Sequence, residues 1–368
     1  MPRAIKRTLI GLLIAVGAIV VIFSIYIVYL EIQYYRIPDK AVLAVDNCSS
    51  DTVALGKTYT AATYNIGFGA YDHDFSFFMD SGVMKDGTKV TGSHSVAKSK
   101  DVVLSNTNGA ISALKELDPD LILLQEVDTN STRSYNVDQS GLFKSAFPAM
   151  DSTFASNFHS AFLCYPITEP HGIVNAGLLT MSNCKIASAE RRSYYIDESF
   201  PNKFFDLDRC FSLNRLPVSN GRELVVVNSH MSAYDAGGTS RAKQLALLKA
   251  VLTEEYAKGN YVIVGGDFNH ALFGTESAFP SDQMVPEWVA VLSKSDIPDG
   301  FSIVKPKNAY EVATCRSTDM PYKKGVNYTV VIDGFIVSDN IAAASENIDL
   351  DFDYSDHNPV LLTFTLKE

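Results

Sequence analysis

Ser355-Asp356-His357-Asn358-Pro359 lies near the C-terminus, directly before the apolar run 360–364. It is the last of six short polar motifs, and the other five are, in chain order, Tyr64-Asn65-Ile66-Gly67, Leu124-Gln125-Glu126-Val127-Asp128, Asn228-Ser229-His230, Gly265-Gly266-Asp267-Phe268-Asn269 and Ile332-Asp333-Gly334-Phe335. Each of these five lies at or just after an apolar run whose β-branched and aromatic residues are typical of a buried strand. The motifs therefore predict one site that is assembled from the ends of several strands.

In this order the motifs resemble those of the endonuclease/exonuclease/phosphatase superfamily. Its members include DNase I-like nucleases, apurinic-site endonucleases, inositol polyphosphate phosphatases and neutral sphingomyelinases. The resemblance covers residues 58–368. It implies an α+β fold, a four-layer αββα sandwich, and a hydrolase that cleaves phosphoester bonds with the help of a divalent metal.

The N-terminal residues need a separate explanation. Residues 8–30, TLIGLLIAVGAIVVIFSIYIVYL, carry no charge, and a bilayer core is crossed by about 20 apolar residues. We predict a transmembrane signal anchor at 8–30, after a cytoplasmic N-terminus at 1–7. A cleaved signal peptide is the alternative, but its apolar region is usually only about 7–15 residues long. Arg3, Lys6 and Arg7 precede the span, so the positive-inside rule predicts a single-pass protein of the cell membrane whose residues from 31 onward lie outside.

Residues 31–57 lack a sustained periodicity and are interpreted as a juxtamembrane linker, which is followed by one catalytic domain at 58–368. Strands are predicted at Tyr59–Ile66, Leu121–Val127, Ala176–Met181, Leu224–Asn228, Tyr261–Gly265, Thr329–Val337 and Val360–Phe364. Apolar residues spaced by three and four predict helices at Val102–Leu117, Ser240–Lys258 and Glu287–Ser293. Strands mixed with helices in one long domain favour layers of helix, sheet, sheet and helix.

The stretch from Phe68 to Lys100 is long for a loop in a compact domain, and we expect it to border the site. It contains an aromatic patch made of Phe75, Phe77, Phe78 and Met79. A packed rim is the main interpretation of this patch, and insertion into lipid is the alternative.

The formal net charge is -11, and Lys and Arg form no long run. Affinity for a nucleic-acid backbone depends on clustered cations, so the composition counts against a protein that wraps nucleic acid, and only mildly against a nuclease. The cysteines have no CxxC spacing, which predicts neither a zinc site nor a disulfide scaffold. They are Cys48, Cys164, Cys184, Cys210 and Cys315.

Hydrolysis of a phosphoester needs a hard cation, a group that positions or deprotonates water, and donors to the phosphate oxygens. Glu126 follows a buried strand and is the strongest metal candidate, because Mg²⁺ prefers oxygen ligands and retains several waters. Asn65 follows another strand, where an amide can contact the metal or hold a carboxylate. The resemblance implies that Asp356 is the second acidic residue of the metal site. Mg²⁺ is the predicted cofactor, with Mn²⁺ as an alternative.

The remaining catalytic roles rest largely on the resemblance. It implies that Asp267 orients or deprotonates the attacking water and that Asn269 donates to the phosphate. His230 and His357 are candidate phosphate donors or acid/base groups, since histidine titrates near neutrality. Asp333 resembles the aspartate that orients the terminal histidine. Substrate-binding candidates are Arg209, which falls where relatives place a phosphate-binding arginine, Asn175, and the rim segment Arg133-Ser134-Tyr135-Asn136.

One fold and one site can serve several phosphoester substrates, so the substrate stays open. A phospholipid headgroup or a phosphorylated small molecule is favoured over nucleic acid, because the chain is acidic and has a membrane anchor. A surface-anchored endonuclease or exonuclease acting on DNA or RNA is the alternative. A non-catalytic adhesion or scaffold module is a third hypothesis, against which the complete set of catalytic positions counts. The sequence indicates no protein partner.

Overall fold

The computed structural model describes residues 2–46, 49–233 and 239–368, so Cys48 lies outside the described residues. The α-helices in these ranges are α1 (Arg3–Gln33), α2 (Lys100–Leu117), α3 (Gln139–Ala146) and α4 (Thr239–Ala257). The strands are β1 (Ala41–Val42), β2 (Val45–Asp46), β3 (Thr58–Asn65), β4 (Ser81–Val83), β5 (Lys89–Thr91), β6 (Leu121–Asp128), β7 (Asp151–His159), β8 (Asn175–Ser182), β9 (Ser188–Ser193), β10 (Cys210–Pro217), β11 (Glu223–His230), β12 (Tyr261–Asp267), β13 (His270–Ala271), β14 (Ala290–Val291), β15 (Phe301–Val304), β16 (Cys315–Arg316), β17 (Thr329–Val330), β18 (Asp333–Ser338), β19 (Ile341–Asn347) and β20 (Val360–Leu366).

Two large sheets form the centre of the domain. The first sheet has the strand order β1-β9-β10-β11-β12-β18-β15, and the second has the order β19-β20-β3-β6-β8-β7-β2. Their facing sides share one apolar core, to which Leu123, Leu362, Val226, Ile263 and Phe335 contribute. The other side of the first sheet is covered by α4, and the other side of the second by α2 and α3. The predicted four-layer αββα sandwich is confirmed.

The ends of α2 show why the chain changes direction before the strand that carries Glu126. Ser99 caps the first turn, where its Oγ accepts a hydrogen bond from the backbone N–H of Val102 at 3.2 Å. At the other end Asp118 adopts a left-handed conformation with φ 46°, and Pro119 cannot continue a helix. The helix predicted at Val102–Leu117 is therefore found, with its first residue two positions earlier, and β6 follows directly.

The helix predicted at Glu287–Ser293 is wrong. Ala290–Val291 is strand β14, which pairs in parallel with β13. Trp288 and Val289 pack against an apolar cluster that includes Ala271, Cys315 and Tyr328. The apolar spacing of this segment thus reflects packing of an extended chain on one side, which a short stretch cannot distinguish from a helical stripe.

The segment that follows the predicted membrane span, residues 31–57, pairs with strands of the domain. α1 continues beyond residue 30 to Gln33. Within residues 31–57, β1 pairs with β9 at the edge of the first sheet and β2 pairs with β7 at the edge of the second. Val53 is buried in the core between the sheets. The division of the chain at residue 57 stays a prediction, but this segment is bound by main-chain hydrogen bonds to both sheets.

α1 is the helix in the described part of the chain that is long and apolar enough to cross a membrane, and none of its most apolar window is buried. Only Leu30, near its C-terminal end, is buried against the domain.

The stretch from Phe68 to Lys100 contains structure of its own. Strands β4 and β5 pair as an antiparallel hairpin, and Phe68, Tyr71 and Phe75 form a buried cluster with Val103 of α2. Of the aromatic patch, Phe75 is fully buried, Phe77 and Phe78 are half-buried, and only Met79 is exposed. This stretch is therefore a packed rim, and the patch does not face outward as a unit.

α4 is fixed to the first sheet by an ion pair as well as by apolar packing. Arg215 of β10 donates two hydrogen bonds to Glu255 of α4, at 3.0 and 2.8 Å. Lys258 and Asn260 donate to the same carboxylate at 2.9 Å each. Burial acts to raise the pKa of Glu255, but these hydrogen bonds outweigh burial and lower the pKa to about 2.

Candidate active site

The polar motifs meet at one end of the two sheets. On the second sheet, Asn65 ends β3 and lies beside Gln125 of the parallel strand β6. On the first sheet, His230, Asp267 and Asp333 lie side by side on β11, β12 and β18. The two sheets thus bring to one place residues that are far apart in the sequence.

Asn65 is the hydrogen-bonding centre of this place. Its Nδ2 lies 3.1 Å from Oδ2 of Asp267, 3.3 Å from Oε1 of Glu126 and 3.4 Å from Nε2 of His357. Its Oδ1 accepts a hydrogen bond from the backbone N–H of Gly67 at 3.0 Å. Of the two roles predicted for Asn65, its Nδ2 is placed to hold the carboxylates of Asp267 and Glu126, and the contact of its oxygen with a metal stays a prediction.

Glu126 and Asp356 are the carboxylates predicted to hold a metal. Glu126 lies in a β-bulge, with φ 54°, and the bulge shifts the register of β6 against β8. A bulge can re-aim a side chain next to an active site. Burial raises the pKa of Glu126, Arg133 opposes this rise and Asp356 adds to it. Burial likewise raises the pKa of Asp356.

This donor set fits a divalent metal. The two carboxylates influence each other electrostatically, and both carry a raised pKa because their charge is poorly solvated. A hard cation would relieve that cost, and oxygen-only ligands suit Mg²⁺ or Mn²⁺ better than a softer metal. In the described residues a second group, Asp267, Asp333 and His357, offers ligand atoms within 4.8 Å of one another. Two members of that group already hydrogen-bond to each other, so Glu126 and Asp356 remain the better candidates.

His357 and Asp333 form a buried pair. Nδ1 of His357 lies 2.8 Å from Oδ2 of Asp333. Burial lowers the pKa of His357, but the charge of Asp333, the charge of Asp356 and the hydrogen bond to Asp333 together outweigh burial and raise that pKa well above its ordinary value. The imidazole is therefore cationic at neutral pH, with Nε2 at 3.8 Å from Oδ2 of Asp267.

His230 is the neutral counterpart of His357. Its Nε2 lies 3.5 Å from Oδ2 of Asp267 and 4.0 Å from Oε1 of Glu126. Burial lowers the pKa of His230 well below its ordinary value, and the charge of Arg209 lowers it further. Two histidines whose pKa values are pushed apart can take different roles in one reaction.

Asp267 lies between the two histidines. Burial and the neighbouring charge of Asp333 raise its pKa to about 6. Its Oδ1 accepts a hydrogen bond from the backbone N–H of Asn269 at 2.8 Å, while Nδ2 of Asn269 donates to the carbonyl of Met231 at 2.9 Å. The predicted donation from Asn269 to a phosphate stays a prediction.

The preceding Gly266 is required by close packing of the backbone. Its φ is 154°, and a Cβ at this position would lie 1.9 Å from the carbonyl oxygen of Ser229. Strands β11 and β12 can therefore approach closely enough to place His230 beside Asp267 only if residue 266 has no side chain.

The substrate-binding candidates divide into two kinds. Arg209 is buried, its Nε and Nη1 have no hydrogen-bond partner among the described residues, and its charge acts on Glu126 and His230. It is thus placed to contact an anion. Asn175 instead uses its Nδ2 to donate to the carbonyl of Asn130 at 2.8 Å, which holds the loop after β6.

Three residues that sequence reasoning underrated or missed support the site. Arg133, interpreted as a rim residue, is buried, donates twice to Asp128 at 3.1 and 2.8 Å, and lies 3.9 Å from the ring centroid of Phe68. Thr314 accepts hydrogen bonds from the backbone N–H groups of Ile332 and Asp333 at 3.0 and 3.1 Å, which positions Asp333. The backbone N–H of Arg316 donates to the carbonyl of Asp356 at 3.0 Å. The segment 314–316 carries no motif, so only its position in space identifies it.

An αββα sandwich with a polar site at one end of both sheets defines the DNase I-like class of folds. The sequence pattern described as "Endonuclease/Exonuclease/phosphatase family" matches residues 62–357. The chain therefore belongs to the endonuclease/exonuclease/phosphatase family. Membership of this family indicates hydrolysis of phosphoester bonds.

Solved structures agree with the fold. An endonuclease/exonuclease/phosphatase from Beutenbergia cavernae DSM 12333 superposes with a TM-score of 0.56 at 14% identity, over 84% of this chain and 72% of that one. A Bacteroides vulgatus protein of the same description gives 0.51 at 14% identity, over 84% and 100%. D. rerio TDP2, complexed with a single-strand DNA product, gives 0.51 at 14% identity, over 84% and 99%. No curated protein sequence matches this chain.

Proposed function

We propose that this protein is a membrane-anchored, divalent-metal-dependent phosphoesterase that acts by attack of water on a phosphodiester or phosphomonoester. The observation that carries the proposal is the contact of Asn65 with Asp267, Glu126 and His357, which joins groups from both sheets in one polar site. Each chemical need of phosphoester hydrolysis then has a residue of this chain within reach.

When bound by Glu126 and Asp356, a divalent cation supplies charge neutralisation for the phosphate. Asp267, with a pKa of about 6, is ionised at neutral pH and accepts a proton from the attacking water. His357, held cationic by Asp333, donates to a phosphate oxygen. Arg209 offers two further buried N–H groups to the same anion.

We further propose that α1 is the membrane anchor, with the catalytic domain outside the cell membrane, and that the substrate is a lipid headgroup or a phosphorylated small molecule. The net charge of -11 supports this choice over nucleic acid. The alternative, a nuclease, draws support from D. rerio TDP2, whose structure contains a single-strand DNA product.

The experiment is a screen of the full chain in neutral-detergent micelles with Mg²⁺ or Mn²⁺. Its substrates are phospholipids, phosphorylated nucleotides, single-stranded DNA and RNA. We expect metal-dependent turnover that Asp267→Asn abolishes and that the control Asp339→Asn, at an exposed turn, retains. Turnover confined to DNA or RNA contradicts the substrate choice, and unchanged turnover in Asp267→Asn contradicts the proposed site.

The orientation is tested separately. A reporter that is active only in the cytoplasm, fused at the C-terminus, is expected to be inactive. An active reporter contradicts the proposed topology, whatever the substrate screen shows.

A further inference from the structure

The last turns of α1 are docked on the catalytic domain. The hydroxyl of Tyr26 donates to the carbonyl of Phe162 at 3.0 Å and accepts from the backbone N–H of Cys164 at 3.2 Å. The hydroxyl of Tyr29 accepts from the backbone N–H of Phe162 at 3.0 Å. Leu30 is buried. The loop after β7 therefore lies beside the last turns of the apolar helix, at the level of Tyr26 and Tyr29.

The position of this contact along α1 fixes its depth relative to a membrane. The apolar run ends at Leu30, and Tyr26 lies four residues earlier. At 1.5 Å per residue, the contact lies about 6 Å back along the helix axis. Amphipathic segments that lie in a membrane interface are buried to about 5–10 Å. If α1 spans the bilayer, the backbone at Phe162 lies at the level of the interface.

The side chains around this contact suit that level. In the loop after β7, Tyr165 is 65% and Ile167 is 86% exposed, and in the segment before β10, Phe200 is 60% exposed. The second segment lies against the chain that follows α1, because Phe204 packs edge-on against Tyr34 at 5.8 Å. Tyrosine is enriched at both membrane interfaces, and apolar side chains such as Ile167 and Phe200 can enter the boundary between headgroups and acyl chains.

Charges at the end of α1 are neutralised by the same surface. Glu31 pairs with Lys203 at 2.8 Å, and Arg36 pairs with Asp208 at 2.7 Å. Both partners belong to the segment that carries Phe200 or follow it directly. Pairing removes net charge from the position where the polypeptide leaves the apolar span, so the junction can approach lipid.

We propose that residues 162–167 and 200–205, which we call the anchor-side surface, form a second contact with the bilayer next to α1. This contact holds the catalytic domain at the membrane interface in one orientation. A helix joined to the domain only by a flexible linker would let the domain rotate. The proposal rests on the membrane anchoring proposed above. Its occupant is the lipid bilayer into which α1 inserts.

The anchor-side surface is continuous with the rim of the active site. Tyr165 lies 5.8 Å from Phe78, Phe78 lies 5.0 Å from Phe77, and Phe77 lies 6.4 Å from Phe68, as distances between ring centroids. Phe68 in turn lies beneath Arg133, whose charge acts on Glu126. The seated domain therefore holds its rim next to the bilayer, and it takes phosphoesters located in the headgroup layer.

The test uses the full chain in phosphatidylcholine vesicles. Trp288 is the single tryptophan, so Trp288→Phe provides a background for a new fluorescent residue. Tyr165→Trp places it on the anchor-side surface. The control is Tyr310→Trp, another exposed tyrosine, which lies between β15 and β16. It is at the edge formed by β15 and β19, opposite the edge where α1 enters. Lipids brominated near the headgroup quench tryptophan at interface depth.

We expect both variants to float with the vesicles and the fluorescence loss of Tyr165→Trp to be at least about twice that of Tyr310→Trp. Adding Ile167→Asp and Phe200→Asp is expected to reduce the quenching of Tyr165→Trp while flotation is retained. Circular dichroism melting confirms that each variant folds.

Equal quenching of the two tryptophans, or quenching that the added charges leave unchanged, overturns the anchor-side contact. Loss of flotation overturns both this proposal and the anchoring. Quenching does not depend on turnover, so the two proposals are tested independently. A protein that is strongly quenched but hydrolyses no substrate contradicts the phosphoesterase proposal and leaves the anchor-side contact supported.

Discussion

Replacing Asp333 tests whether the buried Asp333–His357 pair serves catalysis more than folding. Asp333 is fully buried, and its Oδ2 lies 2.8 Å from Nδ1 of His357. Its Oδ1 is buried without a hydrogen-bond partner among the described residues. The unpaired oxygen costs stability, so the stabilising contact of this carboxylate is the one with His357.

Replacing Asp333 is expected to change both the stability and the rate. Removing one partner of a buried ion pair lowers the free energy of unfolding by about 3–5 kcal/mol, and thermal melting measures that loss. A positioned acid/base group typically contributes about 10²–10⁴-fold to the rate. If the cationic His357 is used in the transition state, its loss lowers kcat by about that factor, or roughly 3–5 kcal/mol at about 1.36 kcal/mol for each tenfold change. The loss should fall mainly on kcat, because an interaction that is made only in the transition state leaves KM nearly unchanged.

The assay measures kcat and KM of Asp333→Ala and Asp333→Asn with Mg²⁺ and bis(p-nitrophenyl) phosphate, together with thermal melting. Asp333→Asn separates orientation from charge, because an amide oxygen can still accept a hydrogen bond from Nδ1. Asp339→Asn on the adjacent turn is the control. If both Asp333 variants fold and keep kcat within about threefold of the unmodified protein, the pair does not serve catalysis and the assigned role of Asp333 is refuted.

Three further outcomes are expected. Glu126→Gln raises the Mg²⁺ concentration needed for half-maximal activity by at least roughly 10–100-fold, the loss typical of removing even an outer-shell partner of a metal, and an unchanged Mg²⁺ titration contradicts its role as a ligand. Gly266→Ala lowers the free energy of unfolding by about 1–3 kcal/mol through the clash with Ser229. Denaturant unfolding measures this against Gly274→Ala, where φ is also positive, at 73°, but the space around the residue is open. Glu255→Gln lowers the Tm at pH 7, because a carboxylate whose pKa falls to about 2 on folding stabilises the protein at pH values above its unfolded pKa. The difference in Tm from the unmodified protein shrinks as the pH falls from about 4 toward 2. A difference in Tm that is independent of pH contradicts the ionic contribution.

The central part of the fold could be predicted from the sequence because its strands have a strong local signal. The strands that contain Leu123, Val226 and Ile263 are nearly continuous apolar runs, as expected for strands buried on both faces. Strand β9, next to the edge strand β1, lacks this signal. Strand β9 reads Ser-Ala-Glu-Arg-Arg-Ser, a polar composition with no such run, and its pairing with β10 is established only in three dimensions.

The residues of the site also differ in whether the sequence could identify them. Residues at strand ends, such as Asp267 and Asp333, could be identified because a motif marks each of them. Their partners could not, because the partner belongs to another part of the chain: Thr314 positions Asp333 from a segment without any motif. Likewise, nothing in the local sequence indicates that Arg133 is buried against Phe68 and not solvated at the rim.

The hydrogen bond between Asn65 and Asp267 makes assembly of the site depend on folding of the whole domain. Asn65 belongs to one sheet and Asp267 to the other, and 202 residues separate them in sequence. Neither half of the sandwich contains a working set of groups, so a nascent or partly unfolded chain is inert toward phosphoesters until the sheets have closed on each other. Turnover by this protein therefore also indicates that the two sheets have packed together and the domain has folded completely.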